Sequence, residues 1–450
     1  MNWKSDRIVA ALILAASFAI LRTSPMHPIA DSRFSMMFSQ QLLWNGSWSL
    51  DARPFSFQSK RPIEQYQRGV DYPYQLERWG DRFYYWFPPG STVLSMPYVA
   101  VANALGISAV NAEGLYNPKG DLRIQAGFAA LLMAGLTVII YFTARLFLSI
   151  EWSSLIALGT AFGTTIWSIA SRSMWIHTWG IFILGLVVWM IARTEVRQRR
   201  LHPIILANLL SWLYLIRPSF AVSIIGVTIY VFIRHRRALL PFVITGAVWL
   251  ILLLSHSYHH FGYLLPDYYQ SQHHMVNFGG AFWTGLAGTL VSPSRGLFVY
   301  SPILLFIGYL LVRYRDRIRL GLTWLALGIV IVHVAFMGAY QLWYGGHCYG
   351  PRYCTDVIPW FALLAMVGIE ARQRWISANP RANSPWRSRL EYSLAVVLLG
   401  WSVLLNGIGG TSFNAWYWNM IPTDIDKNRD RLWDWKNPPF IQALKPRLDR

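Results

Sequence analysis

Charge is what this sequence has least of. Only 14% of its 450 residues are Asp, Glu, Lys or Arg, against roughly a quarter in an average soluble domain, and that deficit excludes an ordinary water-soluble enzyme. Acidic residues are scarcest: 21 stand against 40 Lys and Arg, for a net charge of +19. Such an excess would suit a nucleic-acid partner if the basic residues gathered on one polar domain. They do not gather, so no nucleic acid is expected. Cysteine is nearly absent, with two in the chain; two exclude a disulfide framework, and a thiolate zinc site needs three or four ligands. No internal repeat and no low-complexity tract is present. The basic start up to Arg7 and the apolar run 8–21 are followed by no small-residue cleavage site, which reads as an uncleaved first span rather than a secretory signal.

What is abundant is apolar sequence, 54% of the chain. It falls in stretches of about 15 to 22 residues separated by short basic runs, the pattern of a polytopic helical membrane protein. Candidate stretches lie at 8–21, 91–107, 125–147, 153–170, 175–192, 203–216, 218–233, 238–255, 297–312, 319–338, 355–370 and 391–408. Sixteen arginines cluster in 193–200, 234–237, 313–319 and 372–389, which the positive-inside rule puts in the cytoplasm. The linkers 171–174, 256–286 and 339–355 hold only Arg172 and Arg352 and so face outward. Lys4 and Arg7 keep the N-terminus cytoplasmic. Segment 91–107 then cannot cross, because a crossing there would turn all sixteen clustered arginines outward. It is expected to be an interfacial helix entered through Pro88-Pro89-Gly90. The fold expected is therefore all-α and polytopic, with about 11 transmembrane helices and a long first external loop, 22–124, carrying interfacial helices.

In that loop Phe34, Phe38 and Leu42 recur at helical spacing beside Met37 and Trp44, which predicts a short amphipathic helix in the headgroup plane with Asp31 at its N-cap position. The tail from residue 409 is polar, carries seven Lys or Arg and four Trp, and comes out external.

Charged groups at the outer ends of several spans point to a shared site. Asp31 follows the first span, Arg172 and His177 flank one outer turn, Arg217 precedes Pro218 at another, and Arg352 lies in a third. Each has a plainer reading: Asp31 as a helix cap, Arg217 as an anchor reaching the headgroups. Arg352 sits between Gly345-Gly346 and Gly350-Pro351, a setting whose backbone can come close to a ligand.

These pieces, in their order, resemble the GT-C superfamily of polytopic membrane glycosyltransferases, which includes protein O-mannosyltransferases and the bacterial aminoarabinose transferases that use polyprenyl-phosphate sugars. The resemblance covers most of residues 1–370. It rests on Ala30-Asp31-Ser32-Arg33, the Pro-Pro-Gly helix, Leu122-Arg123 opening a span that ends Thr143-Ala144-Arg145, Ser171-Arg172-Ser173-Met174-Trp175, Leu215-Ile216-Arg217-Pro218, Ser292-Pro293-Ser294-Arg295-Gly296, and Gly345-Gly346-His347-Cys348-Tyr349-Gly350-Pro351-Arg352-Tyr353.

The resemblance implies transfer of a sugar from a polyprenyl-phosphate donor to an acceptor hydroxyl at the external face, with inversion. The module would be 1–370, followed by a cytoplasmic loop with the last span, 371–408, and the tail, 409–450, in a bacterial inner membrane. Asp31 matches the family's early-loop base, and a carboxylate gains basicity as its site loses water. Fixed arginines suit the leaving phosphate: Arg217 and Arg352 first, then Arg123, Arg172 and Arg295, with Tyr353 and His177 beside them as substrate-binding candidates.

Two departures bear on cofactors. The mannosyltransferases carry a second acid just after the Ser-Arg pair, where this chain has His177 and no carboxylate in 171–180. Ser91 and Thr92 follow Pro-Pro-Gly where some relatives have lysine. No metal and no other cofactor is expected. His256, His259, His260, His273 and His274 crowd one outer loop with several tyrosines and fit a headgroup belt. Asp424-Ile425-Asp426 is an acid pair in the tail, and Cys348 and Cys354 are spaced so that a disulfide remains open. The rival reading is a transporter or lipid flippase, which would show paired halves and mid-bilayer ionisable residues; the sequence has neither pattern.

Overall fold

A computed structural model describes residues 3–51, 70–380 and 384–445, without the side chains of Trp3 and 272–274. The first helix, α1 (Trp3–Thr23), leads into the long loop, which holds α2 (Ser35–Asn45) and α3 (Gly90–Ala104). Then follow α4 (Pro118–Ala144), α5 (Ile150–Phe162), α6 (Ile176–Arg197), α7 (Pro203–Ile216), α8 (Ala221–Arg234) and α9 (Leu239–Phe261). After them come α10 (Asp267–His274), α11 (Phe282–Val291), α12 (Leu297–Tyr300), α13 (Ile303–Arg313), α14 (Leu320–Gly338), α15 (Ile358–Ala378) and α16 (Pro385–Thr411), with α17 (Phe413–Tyr417) and α18 (Pro439–Gln442) in the tail.

Local chemistry sets several ends. At α4, Asn117 caps the Gly120 N–H and Pro118 opens the first turn with Asp121 close behind, a start in which each residue suits its place. Gly262, at φ 74°, closes α9 by turning its N–H back to the Tyr258 carbonyl.

Among the described residues six helices are long and apolar enough to cross a membrane: α4, α6, α9 with the turn before it, α14, α15 with the turn before it, and α16. Beside them stand α1, of 21 residues, and five shorter apolar helices, and helix occupies each of the eleven stretches read as spans. The protein is a polytopic helical membrane protein. Helices α4 and α15 lie at the centre, whereas α9 and α16 present bare apolar faces, with Ile251 61% and Val396 69% exposed. Water would not tolerate contiguous surface of this kind; lipid does.

The loop 22–124 is richer than expected. It contains a three-stranded antiparallel sheet ordered β1-β3-β2, with β1 (Ser49–Asp51), β2 (Leu76–Trp79) and β3 (Arg82–Tyr85). Helix α3 has 15 residues, a rise of about 22 Å against the ~30 Å hydrocarbon core. Helix α2 forms where the apolar spacing predicts it, and its apolar face meets protein: Phe34, Met36, Met37 and Phe38 are buried because α3, β1 and β3 cover them. Asp31 does not cap it. The N-cap position belongs to Phe34, held left-handed at φ 70° without a side-chain cap.

The tail packs back onto the loops around Arg295 and Tyr344 rather than trailing away. Ser292 Oγ donates to Leu432 O at 2.6 Å, and Trp418 lies beneath Arg295 with its ring 5.6 Å from the guanidinium.

Candidate functional site

The backbone that carries Asp31 is strapped from every side. His27 Nδ1 bonds Arg172 O at 2.7 Å; Ser173 Oγ and Trp175 Nε1 both donate to Pro28 O. Gln75 donates to Ala30 O, Tyr85 to Asp31 O at 2.7 Å, and Gln125 to Ser32 O. Elements distant in sequence thus fix one short segment between α1 and α2, and the Asp31 side chain needs no cap to hold it.

Arg352 meets it there. This arginine opens a 3-10 turn, Arg352–Val357, that runs straight into α15. The preceding loop bends through Gly345, Gly346 and Gly350, all at positive φ, where only glycine is unstrained. A Cβ on Gly350 would sit 2.9 Å from the Tyr300 ring, so the bend is also sterically committed. The Arg352 guanidinium lies 4.0 Å from the centre of the Trp175 ring and its Nη2 forms an ion pair with Asp31 Oδ2. Asp31 Oδ1 accepts from Tyr74 Oη at 3.0 Å.

Behind this pair stands a second one. Asp356, fully buried, accepts from His177 Nδ1 at 2.6 Å and from Ser219 Oγ at 2.7 Å, and lies 3.0 Å from Arg217 Nε. Arg217 ends α7 at an extended residue before Pro218, a geometry the proline imposes. Its guanidinium faces the Tyr353 ring at 5.3 Å. His177 Nε2 then joins both arginines, at 3.1 Å from Arg217 and 3.3 Å from Arg352.

Burial pushes the Asp31 carboxyl up, but the charge and hydrogen bond of Arg352, helped by Tyr74, overcome it and hold the carboxyl below its ordinary value. The side chain keeps 16% exposure, so it faces open space. Burial and the Asp31 carboxylate together push the Tyr74 and Tyr85 hydroxyls well up; both remain donors. An aromatic cleft adjoins, lined by Tyr85, Phe87, Pro88 and Tyr268 among others.

The structure therefore brings together Asp31, Arg352, Arg217, His177 and Tyr353, and sets three other arginines apart. Arg172 is buried on the carbonyls of Leu21 and Ser24 and on Ser171 Oγ. Arg295 is spent on the carbonyls of Tyr344, Ser294 and Gly346 and on Asn419. Arg123 is exposed on α4. Asp356 and Tyr74 escape the sequence reading. Asp356 carried the right signal, a carboxylate at the end of an apolar stretch four residues after Arg352, whereas the Tyr74 contact depends on the folded loop.

A separate group, His347 with Asp424 and Asp426, has ligand atoms within 4.8 Å of one another. It also ties the tail down: His347 Nε2 bonds Asp424 Oδ1 at 3.1 Å, holding that carboxyl below its usual range, and Tyr344 Oη donates to Asp426 at 2.8 Å. His256 meets Trp48 of the loop edge-on and His260 lies tilted against Tyr84, while the side chains of His273 and His274 lie outside the described residues. Cys348 and Cys354 are free thiols, both buried.

No protein-family model and no curated protein matches the sequence. Solved structures do match in fold. One is ArnT from Cupriavidus metallidurans bound to undecaprenyl phosphate, at a TM-score of 0.51 and 12% identity over 91% of this chain and 78% of that one. The apo state of the same ArnT aligns with a TM-score of 0.51 and 15% identity over 90% and 78%. The chain thus shares the fold of these ArnT structures.

Proposed function

We propose that this protein is a membrane glycosyltransferase that moves a sugar from a polyprenyl-phosphate donor to an acceptor hydroxyl at the external face of a bacterial inner membrane. The observation that carries the reading is the convergence of Asp31 with Arg352 and Arg217 beside an aromatic cleft. Fold alone would not carry it, since one fold hosts many functions. A solved relative in fold binds undecaprenyl phosphate, which supports the lipid class of the donor.

In this reading the donor phosphate enters between Arg217 and Arg352, whose planar forks suit its oxygens. Arg352 turns from Asp31 toward the phosphate, and the carboxylate is freed as a general base. The acceptor oxygen attacks the sugar's anomeric carbon from the face opposite the phosphate, its proton passes to Asp31, and the C–O bond to phosphate breaks with the electron pair leaving on the phosphate oxygen. One displacement gives inversion. Tyr353 and the cleft aromatics offer faces to sugar or isoprenoid, and His177 positions the two arginines.

The reading uses no metal. Asp31 is already paired with Arg352, and Asp356 with Arg217 and His177, so neither carboxylate is spare for a cation. The sixteen clustered arginines favour eleven crossings, a cytoplasmic N-terminus and an external tail, with 1–370 as the catalytic module. A flippase would place ionisable groups along a mid-bilayer path; the cluster here lies at the helix ends.

Mass spectrometry of lipid-linked sugars in cells that lack the gene tests this. One polyprenyl-phosphate sugar is expected to accumulate, and an unchanged pool would rule the reading out.

A further inference from the structure

A groove between α5, α13, α15 and α16 runs along α15 toward the end opposite Arg352. Its wall is apolar almost throughout, from Phe361 and Leu304 at the deep end to Arg372, Glu391 and Tyr392 at the mouth. From Phe361 to Arg372 the helical rise is about 16 Å, close to half of the ~30 Å hydrocarbon core, so the groove is about one leaflet deep. Leu155 and Val396 on its rim are largely exposed, which opens it sideways to lipid.

The mouth is built for an anion. Arg372 is 5% exposed; its Nε donates to Glu391 and its Nη1 to Tyr392, yet Nη2 has no hydrogen-bond partner among the described residues. A buried guanidinium N–H without an acceptor is costly. Glu391 also borders a second cavity, lined by Arg313, Arg387, Trp375 and Trp386 among others. Arg313 and Arg387 touch only aromatic rings and form no ion pair among the described residues. Three guanidiniums line the two cavities that Glu391 borders, and that carboxylate is already taken by Arg372, Tyr309 and Tyr314. The positive charge left over is uncompensated at a place where two tryptophans mark the headgroup level.

We infer that the two cavities form one lipid site, in which an anionic diacyl phospholipid of the leaflet opposite the Asp31 face lays an acyl chain in the apolar groove and its phosphate against Arg372, Arg313 and Arg387. Neither the apolar groove nor the basic cavity fits a soluble anion as well as it fits the two ends of one amphiphile. This site is independent of the sugar-transfer reading, because it shares no residue with the Asp31 cluster and can be measured without turnover.

The test uses the full chain purified in detergent, with phosphatidylglycerol and phosphatidylcholine of identical acyl chains as probes, and native mass spectrometry to count retained lipid. Wild type is expected to retain phosphatidylglycerol in clear preference. The exposed pair Arg313→Gln and Arg387→Gln should cut that preference by about fivefold per arginine, the usual worth of a basic residue at an anionic headgroup. Ala395→Phe, which fills the groove, should abolish retention of the bound lipid while the protein stays folded. Equal retention of the two lipids by wild type, an undiminished preference in the double variant, or displacement of phosphatidylglycerol by equimolar undecaprenyl phosphate would each overturn the assignment.

Discussion

Arg217 and Arg352 meet on one atom, the Nε2 of His177, from 3.1 Å and 3.3 Å. An arginine can only donate, so Nε2 is the acceptor and the imidazole proton resides on Nδ1, where it is given to Asp356 Oδ1 at 2.6 Å. Asp356 thereby selects the tautomer that keeps the two guanidiniums together. Asp356→Asn presents an amide that can donate to Nδ1 and force the proton onto Nε2, against both arginines. It also strips a buried counter-charge from Arg217, a loss of about 3 kcal/mol or more. The variant is expected to unfold at a clearly lower temperature and to need more donor for half-maximal rate. Thermal melts in detergent with donor titration check this, and wild-type values on both would leave Asp356 without that role.

Asp31 stands at the front of the same chain of contacts. Asp31→Asn keeps the side chain's shape and its contact with Tyr74, and it removes the proton acceptor. Turnover is expected to fall by about 10² to 10⁴, the usual worth of a positioned base, with donor binding nearly unchanged. Binding of a fluorescent polyprenyl phosphate alongside a sugar-transfer assay separates the two; near-normal turnover would remove Asp31 from the chemistry.

The ion pair with Arg352 gives this carboxyl a pH signature. Its folded value lies below the ordinary one of about 3.9. The stability it contributes is therefore present above that ordinary value and is lost as pH falls through the lowered folded value. In the free enzyme the acid limb of kcat/KM should lie below about pH 4. Once donor phosphate draws Arg352 away, the carboxyl rises, and the limb of kcat should sit at higher pH than that of kcat/KM. Coincident limbs would mean that Arg352 stays on Asp31 through the reaction.

Much of this architecture was legible in the chain. Apolar length and the arginine runs located eleven stretches that helix occupies, because in lipid a backbone must satisfy itself within a helix and charge must stay at the ends, but they left the short apolar helix α11 unread between two of them. The positions of Asp31, Arg217, His177 and Arg352 were readable for the same reason: an ionisable group at a span's end is conspicuous against apolar sequence. The loop was not. Strands of three and four residues carry too little periodicity to announce a sheet, and that sheet with α3 turns α2 from a surface helix into a buried one. Arg172 and Arg295 misled by lying, like the site, at the ends of apolar stretches, since sequence does not distinguish a guanidinium that binds substrate from one that gathers backbone carbonyls.

The helix α3 bears on topology as well as packing. If it stays at one face, Glu113 in the exposed turn after it is external, and Glu113→Cys should react with an impermeant thiol reagent in intact cells. The two natural cysteines are 0% and 2% exposed, so they should stay silent and leave the background low. Labelling that requires broken membranes would refute the eleven-span arrangement.

Arg352→Lys is the sharpest discriminator between a phosphate ligand and a structural anchor. Lysine keeps the charge and can reach the headgroup layer, so an anchor would be replaced almost freely. It lacks the fork that lets one guanidinium bond Asp31 through Nη2, Gly345 O through Nη1 and His177 through Nε, and it would lie less well over Trp175. If that fork is what passes from Asp31 to the donor phosphate, both steps suffer. Donor KM should rise, because the ground-state phosphate loses a bidentate contact, and kcat should fall, because the departing phosphate loses the same contact as its charge grows. A combined loss of about 10² in kcat/KM is expected, from an electrostatic contact of the kind worth 10² to 10³. The same ammonium would pair with Asp31 as a point charge through a single contact, so the acid limb of kcat/KM should move upward together with the loss. Wild-type donor kinetics in Arg352→Lys would make Arg352 part of the scaffold and leave Arg217 as the arginine that meets the phosphate.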